Sequence, residues 1–342
     1  MPEKLEIGTA VAEKGELKKG VIKGVELVNT TSVDVPVLVM NGAKEGPTLL
    51  LMSTQHGIEI QGIEVILKVI REKLDPKKLR GAVIGIMVGN PLAFMHHQYL
   101  SWIDNLDAGS VRADNPGGNT TERLANALWT QAWSKADLIV NLHCNTRPDS
   151  LIYQSINVGN PTTKDKLVKM AQAFGFTTMV SNVPPREDAI PTLGVLAARN
   201  KIPVILEELI DGRWISEPST SAGIRGVLNL MKVFDMIDGK PEPQKGFPVV
   251  PGVNHSSGII RANRGGLIRL LKTPGDPIKQ GEVIAEIYDL YGEVLEQVKM
   301  PIDGYVWAYP CGASLGTSGG LQAVEAGANV AYTFTHEKDE FP

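Results

Sequence analysis

His56 and Glu59 stand three residues apart in Ser53-Thr54-Gln55-His56-Gly57-Ile58-Glu59, directly after the apolar run Leu49-Leu50-Leu51-Met52. An imidazole nitrogen and a carboxylate oxygen at that spacing can reach one cation, and Zn²⁺ accepts this pair of donors. A second apolar run, Leu138-Ile139-Val140-Asn141-Leu142, ends in His143 and supplies a third donor. Catalytic zinc holds three protein ligands and keeps one position for water or substrate. The plain alternative is that these are ordinary core or surface histidines. Yet the chain has only six His, and two of them close core-like strands, one beside a Glu. We therefore read His56, Glu59 and His143 as a metal-ligand set. A third apolar run, Pro203-Val204-Ile205-Leu206, ends in Glu207-Glu208. Adjacent side chains on a strand point to opposite faces, so only one of these two carboxylates can face the metal.

The elements that must position these residues follow from periodicity. Gly24–Val28 and Val33–Val39 read as an antiparallel strand pair, Gly42–Pro47 as a turn, and the His56 strand follows it. Ile60, Ile63, Ile66, Val69 and Ile70 recur at helical spacing, which predicts a helix to about Leu74. Residues 81–88 read as a buried strand closed by the turn Gly89-Asn90-Pro91. Residues 100–118 are rich in Asp, Asn and Gly and read as a long loop, of a length that in compact domains is usually functional or disordered. Thr121 is the expected N-cap of a helix ending near Trp133. A helix over 163–174 should stop at Gly175. A short helix over 191–199, the strand 203–208 and a helix over 220–237 complete the alternation. Strand alternating with helix implies a mostly parallel or mixed sheet covered on both faces.

Beyond Gly239 the composition changes. Lys240-Pro241-Glu242-Pro243-Gln244-Lys245-Gly246 reads as a linker, followed by short strands between Gly turns and no strong helix. The expected organisation is an α/β domain over 1–239 and an all-β, barrel-like domain over 247–338. The chain has 342 residues, 43% hydrophobic and 21% charged, the composition of a globular protein. A formal charge of −4 and the lack of any Lys/Arg run argue against nucleic acid. Two cysteines cannot build a disulfide framework, no stretch approaches the ~20 apolar residues of a membrane span, and residues 1–17 lack a signal-peptide core. A cytoplasmic protein is expected.

His56-Gly57-x-Glu59 after a strand, with the distant Leu142-His143, resembles the succinylglutamate desuccinylase and aspartoacylase family, a branch of the zinc carboxypeptidase-like fold. Gly89-Asn90-Pro91-Leu92-Ala93 resembles that family's N-P-x-A turn. Pro116-Gly117 with Thr121-Glu122-Arg123-Leu124-Ala125 is similar to its P-G…T-E-R-x-A segment. Pro203–Leu209 resembles the P-x-x-T-x-E-x segment that carries a catalytic Glu, with Leu206 in place of the Thr. The segments Gly275–Glu282 and Pro301–Gly304 resemble the family's C-terminal β domain. The resemblance spans nearly the whole chain and implies a mixed sheet with helices on both faces, a Zn²⁺ cofactor on His56, Glu59 and His143, and Glu208 as catalytic base. The reaction it implies is hydrolysis of the amide bond of a small N-acyl amino acid or related N-acyl amine. The partner expected is that small-molecule substrate, with no nucleic acid and no membrane, and with self-association left open.

Two departures bear on substrate binding. Tyr99 stands where the family usually has an Arg that stabilises the carbonyl oxygen. Arg112, in Ser110-Val111-Arg112-Ala113-Asp114-Asn115-Pro116-Gly117, sits one residue early relative to the family's D-L-N-R-x-F-P-G. Asn90, Tyr99 and Arg112 are the expected substrate-binding residues. Asn141 stands where the family commonly has Asp. His96-His97 reads as a surface pair, the alternative being that His97 or Tyr99 donates to the oxyanion. Arg186 is a weaker candidate for a substrate carboxylate. Val298-Lys299-Met300-Pro301 faintly resembles a carrier-lysine motif, but the hairpin tip is expected at Leu290-Tyr291-Gly292 instead. Competing readings are a carboxypeptidase-like peptidase and a metal-binding protein of the same fold with altered or lost catalysis.

Overall fold

The computed structural model describes residues 3–145, 150–184, 186–310, 323–339 and 341. The chain opens with strands β1 (Lys4–Ile7), β2 (Ala10–Glu13), β3 (Glu16–Glu26), β4 (Ser32–Asn41) and β5 (Lys44–Ser53). There follow α1 (Gln61–Lys68), continued by a π-turn at Val69–Lys73, then β6 (Arg80–Ile86), the short α2 (Pro91–Phe94), α3 (Thr120–Gln131) and β7 (Leu138–Cys144). Next come β8 (Tyr153–Asn157), α4 (Lys164–Phe174), β9 (Thr177–Ser181), α5 (Leu193–Arg199), β10 (Val204–Leu209) and α6 (Glu217–Val233). The remainder is β-structure: β11 (Val253–Arg261), β12 (Gly266–Leu270), β13 (Val283–Tyr288), β14 (Val294–Lys299), β15 (Tyr305–Ala308), β16 (Ala323–Val324) and β17 (Asn329–Lys338). No helix among the described residues is long and apolar enough to cross a membrane.

One mixed sheet dominates, in the order β15-β17-β11-β9-β8-β10-β7-β5-β6-β4-β3. Its centre is parallel, β10 with β7 and β5 with both β7 and β6. The strands there are almost continuously apolar because both faces are covered. Leu50, Met52, Ile84, Ile86 and Ile139 pack on one side with Leu124, Leu128, Leu193 and Leu196 of α3 and α5. Leu49, Leu51, Val83, Val140 and Leu142 pack on the other with Val65, Ile66, Met170, Val227 and Leu230 of α1, α4 and α6. Alternation along each strand assigns every side chain to one of these two cores.

Local chemistry sets the helix ends. Asn119, not Thr121, caps α3: its side chain accepts from Glu122 N while Glu122 returns a bond to Asn119 N, a capping box. Thr121 is already inside the helix, where its hydroxyl donates to Asp104 at 2.6 Å and anchors the 100–118 loop. Gly175 ends α4 in the left-handed conformation, as expected. The predicted turn at 42–47 is already strand from Lys44, and β8 and β9 were not legible as strands.

The C-terminal β-structure forms the four-stranded sheet β14-β13-β12-β16 and packs Ile268, Ile284, Ile287 and Val298 against Val306 and Val330. Its other strands, β11, β17 and β15, extend the main sheet. Asn254 of β11 pairs with Met179 of β9, and its amide donates to Thr178 O at 3.2 Å. The hairpin tip lies at Leu290-Tyr291, both highly exposed, while Lys299 ends β14 well away from it.

Candidate metal centre

The strand β5 ends at Ser53, and Thr54 takes a left-handed φ of 55°. That conformation is costly for a residue with a branched Cβ, and such outliers persist where the surroundings over-determine them. Here the Thr54 hydroxyl donates to Glu59 O at 3.0 Å, and Glu59 N donates to His56 O at 3.0 Å. The chain is thereby folded into a tight turn that sets His56 and Glu59 side by side. Gly57 permits this, since a Cβ there would run into the backbone of Ala93. His143 lies near the end of β7, the parallel neighbour of β5, so the three donors gather at the carboxyl ends of adjacent strands, where open α/β sheets place ligands.

The three side chains meet. His56 Nδ1 is 2.8 Å from Glu59 Oε1, and His143 Nδ1 is 2.8 Å from Glu59 Oε2. One ligand atom from each residue lies within 4.8 Å of the others, and all three residues are buried. Burial pulls an imidazolium down, but the Glu59 charge and the Asp107 hydrogen bond outweigh it and lift His56 to about 10. Burial pushes the Glu59 carboxyl up, but the charges of His56 and His143 hold it at about 2. Two imidazoles and one carboxylate, all buried, form a donor set able to hold a divalent metal ion.

The surroundings fit a cation as well. His56 Nε2–H donates to Asp107 Oδ1 at 3.1 Å, which leaves Nδ1 as the ligand nitrogen. Asp107 is itself held by Gly109 N at 2.7 Å and Ser110 Oγ at 2.7 Å. On the other side, Asn141 Nδ2 lies 2.9 Å from His143 Nε2, and Asn141 Oδ1 is buried with no partner among the described residues. If His143 ligates through Nδ1, its proton must sit on Nε2 and needs an acceptor. Turning the Asn141 amide by half a rotation presents Oδ1 to it, provided that the Gln55 amide, whose Oε1 accepts from Asn141 Nδ2 at 3.2 Å, turns as well. The donor set thus fits a metal, and the Asn141 amide can accept the proton that ligation through Nδ1 leaves on His143 Nε2.

Glu208 is in register with His143 on the parallel neighbour β7 and with Tyr153 on β8. Residues in register share a face, so Glu208 lies on the His143 side of the sheet. Glu207 takes the opposite face, beside Leu142. Tyr99 stacks on His56 with ring centroids 3.7 Å apart and an interplanar angle of 14°. Asn90 is wholly buried and caps α2, accepting from Ala93 N at 3.1 Å and donating to Ser101 Oγ at 3.2 Å. Arg112 is exposed and doubly hydrogen-bonded to Asp114. The structure thus joins Tyr99 to the cluster, uses Asn90 in the loop beneath it, and ties Arg112 to a neighbouring carboxylate. His96 and His97 are exposed, as expected of a surface pair.

Asp107 was not found from sequence. Its signal was present, a carboxylate in the one long irregular loop, but several Asp share that loop and only folding selects one. A cavity of about 610 Å³ lies at the other end of β10, lined mostly by apolar groups around Val204, Met179 and Val195. Arg186 lines it too and is paired with Asp188 at 2.6 Å. Volume alone does not locate the chemistry here; convergent polar groups do.

Fold and site together define a mixed α/β scaffold with a His-Glu-His cluster at its strand ends. A profile for the succinylglutamate desuccinylase/aspartoacylase catalytic domain matches residues 45–233, more than half of the chain, and the protein belongs to that family of deacylases. It is 25% identical over 263 residues to the N-alpha-acetyl-L-2,4-diaminobutyric acid deacetylase of Halomonas elongata, covering 76% of this chain and 75% of that protein. The crystal structure of a succinylglutamate desuccinylase/aspartoacylase from Rhodobacter sphaeroides superposes with a TM-score of 0.77 at 24% identity, over 93% of this chain and 96% of the other. The product-bound ectoine utilization protein EutE (DoeB) of Ruegeria pomeroyi gives 0.79 at 18% identity, over 98% of both chains. These two likenesses establish the fold.

Proposed function

We propose that the protein is a zinc-dependent deacylase that hydrolyses the linear amide bond of a small N-acyl amino acid or related N-acyl amine. The observation that carries this reading is the convergence of His56 Nδ1, His143 Nδ1 and the Glu59 carboxylate, with Glu208 on the same face of the next strand. Family membership and the Halomonas elongata deacetylase support the reaction class. Held by His56, Glu59 and His143, a zinc ion would polarise the acyl carbonyl and acidify the attacking water toward a pKa of ~7.

The chain's own residues do the rest. Glu208 accepts a proton from the attacking water and delivers it to the amide nitrogen as the C–N bond breaks. The acyl group leaves as a carboxylate and the other fragment as an amine. Asp107 fixes the orientation and tautomer of His56, and Asn141 does the same for His143. Tyr99 covers the His56 ring and borders the place where the scissile carbonyl must lie. Asn90 holds the turn that carries Tyr99, and Arg112 reaches substrate only by exchanging Asp114 for it. We take residues 1–239 as the catalytic unit, residues 247–338 as the β domain beside it, and the cytoplasm as the compartment.

Zinc stoichiometry, with and without His143→Ala, tests this alongside a panel of N-acetyl and N-succinyl amino acids. One zinc per chain, lost in the variant together with hydrolysis, is the expected result. Zinc bound without turnover of any acyl compound would replace the deacylase by a metal-binding protein, and cleavage of unblocked peptides would make it a peptidase. No zinc at all would sink the mechanism.

A further inference from the structure

Gln55 stands directly before His56 and is buried, yet it is neither a ligand nor the base. Its Oε1 accepts from Asn141 Nδ2 at 3.2 Å. The same Asn141 nitrogen lies 2.9 Å from His143 Nε2, because Asn141 and His143 are two residues apart on β7 and share a face. One side chain thus connects the His56 turn to the support of His143, across 86 residues of sequence. Gln55 also abuts the loop that holds Asp107. A Cβ on Gly109 would run into Gln55 Nε2, and Gly109 N donates to Asp107 Oδ1 at 2.7 Å. The glycine leaves room for the amide where any other residue would push it aside.

The two ligand histidines are supported by different chemistry. Asp107 is a carboxylate and only accepts, so it holds His56 Nε2–H without rearranging. The support of His143 is a neutral amide, with a donor on one side and an acceptor on the other. As the groups stand, His143 Nδ1–H can donate to Glu59 Oε2 at 2.8 Å while Nε2 accepts from Asn141 Nδ2. Ligation through Nδ1 moves the hydrogen to Nε2, and Asn141 must then present its oxygen. That oxygen also comes to face Gln55, so residue 55 must change from acceptor to donor. Two facing amides pair only when one gives N–H and the other C=O, so they turn together or not at all. Glutamine can make the change. An ionised glutamate of the same length only accepts, and a methionine offers no N–H and only a weak acceptor.

Resting on the metal-site reading, we propose that Gln55 is a positioning residue of the metal centre: its amide reverses together with that of Asn141, and so gives His143 Nε2–H an acceptor when Nδ1 is a ligand. The reversal costs no bond within the pair, since each sense has one N–H···O contact. Residue 55 thereby sets metal affinity without touching the metal.

Zinc affinity of the full chain, measured by competition with a chromophoric chelator, tests this. Gln55→Glu should weaken zinc roughly 10- to 100-fold, as for lost outer partners of a ligating His, because the carboxylate keeps Asn141 Nδ2 turned toward His143. A carboxylate added beside a cation would by charge alone tighten it, so the sign of the change separates the two accounts. Gln55→Met, which frees Asn141 to turn, should lose less than about tenfold. Zinc bound as tightly or more tightly by Gln55→Glu overturns the proposal, as do equal losses in the two variants, which would mark a packing role. Nuclear magnetic resonance of the parent chain gives a reading that needs no variant to fold. On zinc loading, the Nε2–H of His143 should appear hydrogen-bonded, with a nuclear Overhauser contact to the Gln55 amide protons. A contact to the Asn141 amide protons instead overturns the paired reversal. A parent chain that takes up no zinc overturns this proposal and the metal reading together, whereas zinc bound by the parent and indifferent to residue 55 overturns this proposal alone.

Discussion

Glu207 and Glu208 are covalent neighbours of identical chemistry, and they occupy opposite environments. Glu208 lies on the face of β10 that carries His143 and Tyr153 in register. Glu207 lies on the other face, in register with Leu142 and Gln154 under the helices. It is 0% exposed, and neither carboxylate oxygen has a hydrogen-bond partner among the described residues. Burial pushes its carboxyl well above the usual range, and the charge of Glu208 adds to that. A buried, unpaired carboxylate is so costly that the acid stays protonated instead. Gln154 Oε1, the cross-strand neighbour's acceptor, is likewise buried and without a partner among the described residues. A one-residue step along a strand thus separates a proposed base from a neutral core acid.

The sharpest way to break this contrast is by kinetics. Glu208→Gln should lower kcat about 10²- to 10⁴-fold, the range of a lost general base, with zinc content unchanged. Glu207→Gln should leave kcat within about twofold. Equal losses from the two substitutions would abolish the distinction between the faces. A smaller effect is expected from Asp107→Asn, which keeps the shape but weakens the orientation of His56. Zinc affinity or kcat/KM should fall roughly 10- to 100-fold, as for outer partners of metal-ligating His. An unchanged zinc titration and rate would remove Asp107 from the site.

The smallest effect concerns stability on the helix side. Because the folded Glu207 carboxyl is raised, both folded and unfolded states are protonated below the unfolded value of about 4.3. Above it only the unfolded chain loses the proton, so stability falls as pH rises toward the folded value. Gln cannot ionise. Denaturant unfolding at pH 5 and pH 8 should therefore show Glu207→Gln gaining on the parent protein as pH increases. A gap that is constant across those pH values would mean that Glu207 is already charged in the fold.

Much of the metal centre was legible before folding because its signals are local. The spacing of His56 and Glu59, the apolar runs that end in His56, His143 and Glu208, and the Gly175 stop all depend on a few adjacent residues. Strand alternation alone showed that Glu207 and Glu208 must diverge. What sequence could not show depends on partners distant along the chain. The cap of α3 went to Asn119 because Thr121 was taken by Asp104, 17 residues away. The selection of Asp107 over other loop carboxylates required the His56 ring to be in place. The short strands β8 and β9 carry mixed side chains that become strands only between β10 and β11. Periodicity and donor spacing are properties of neighbouring residues and are written in the sequence; which loops meet at the strand ends is set by long-range strand pairing, and only the tertiary structure decides it.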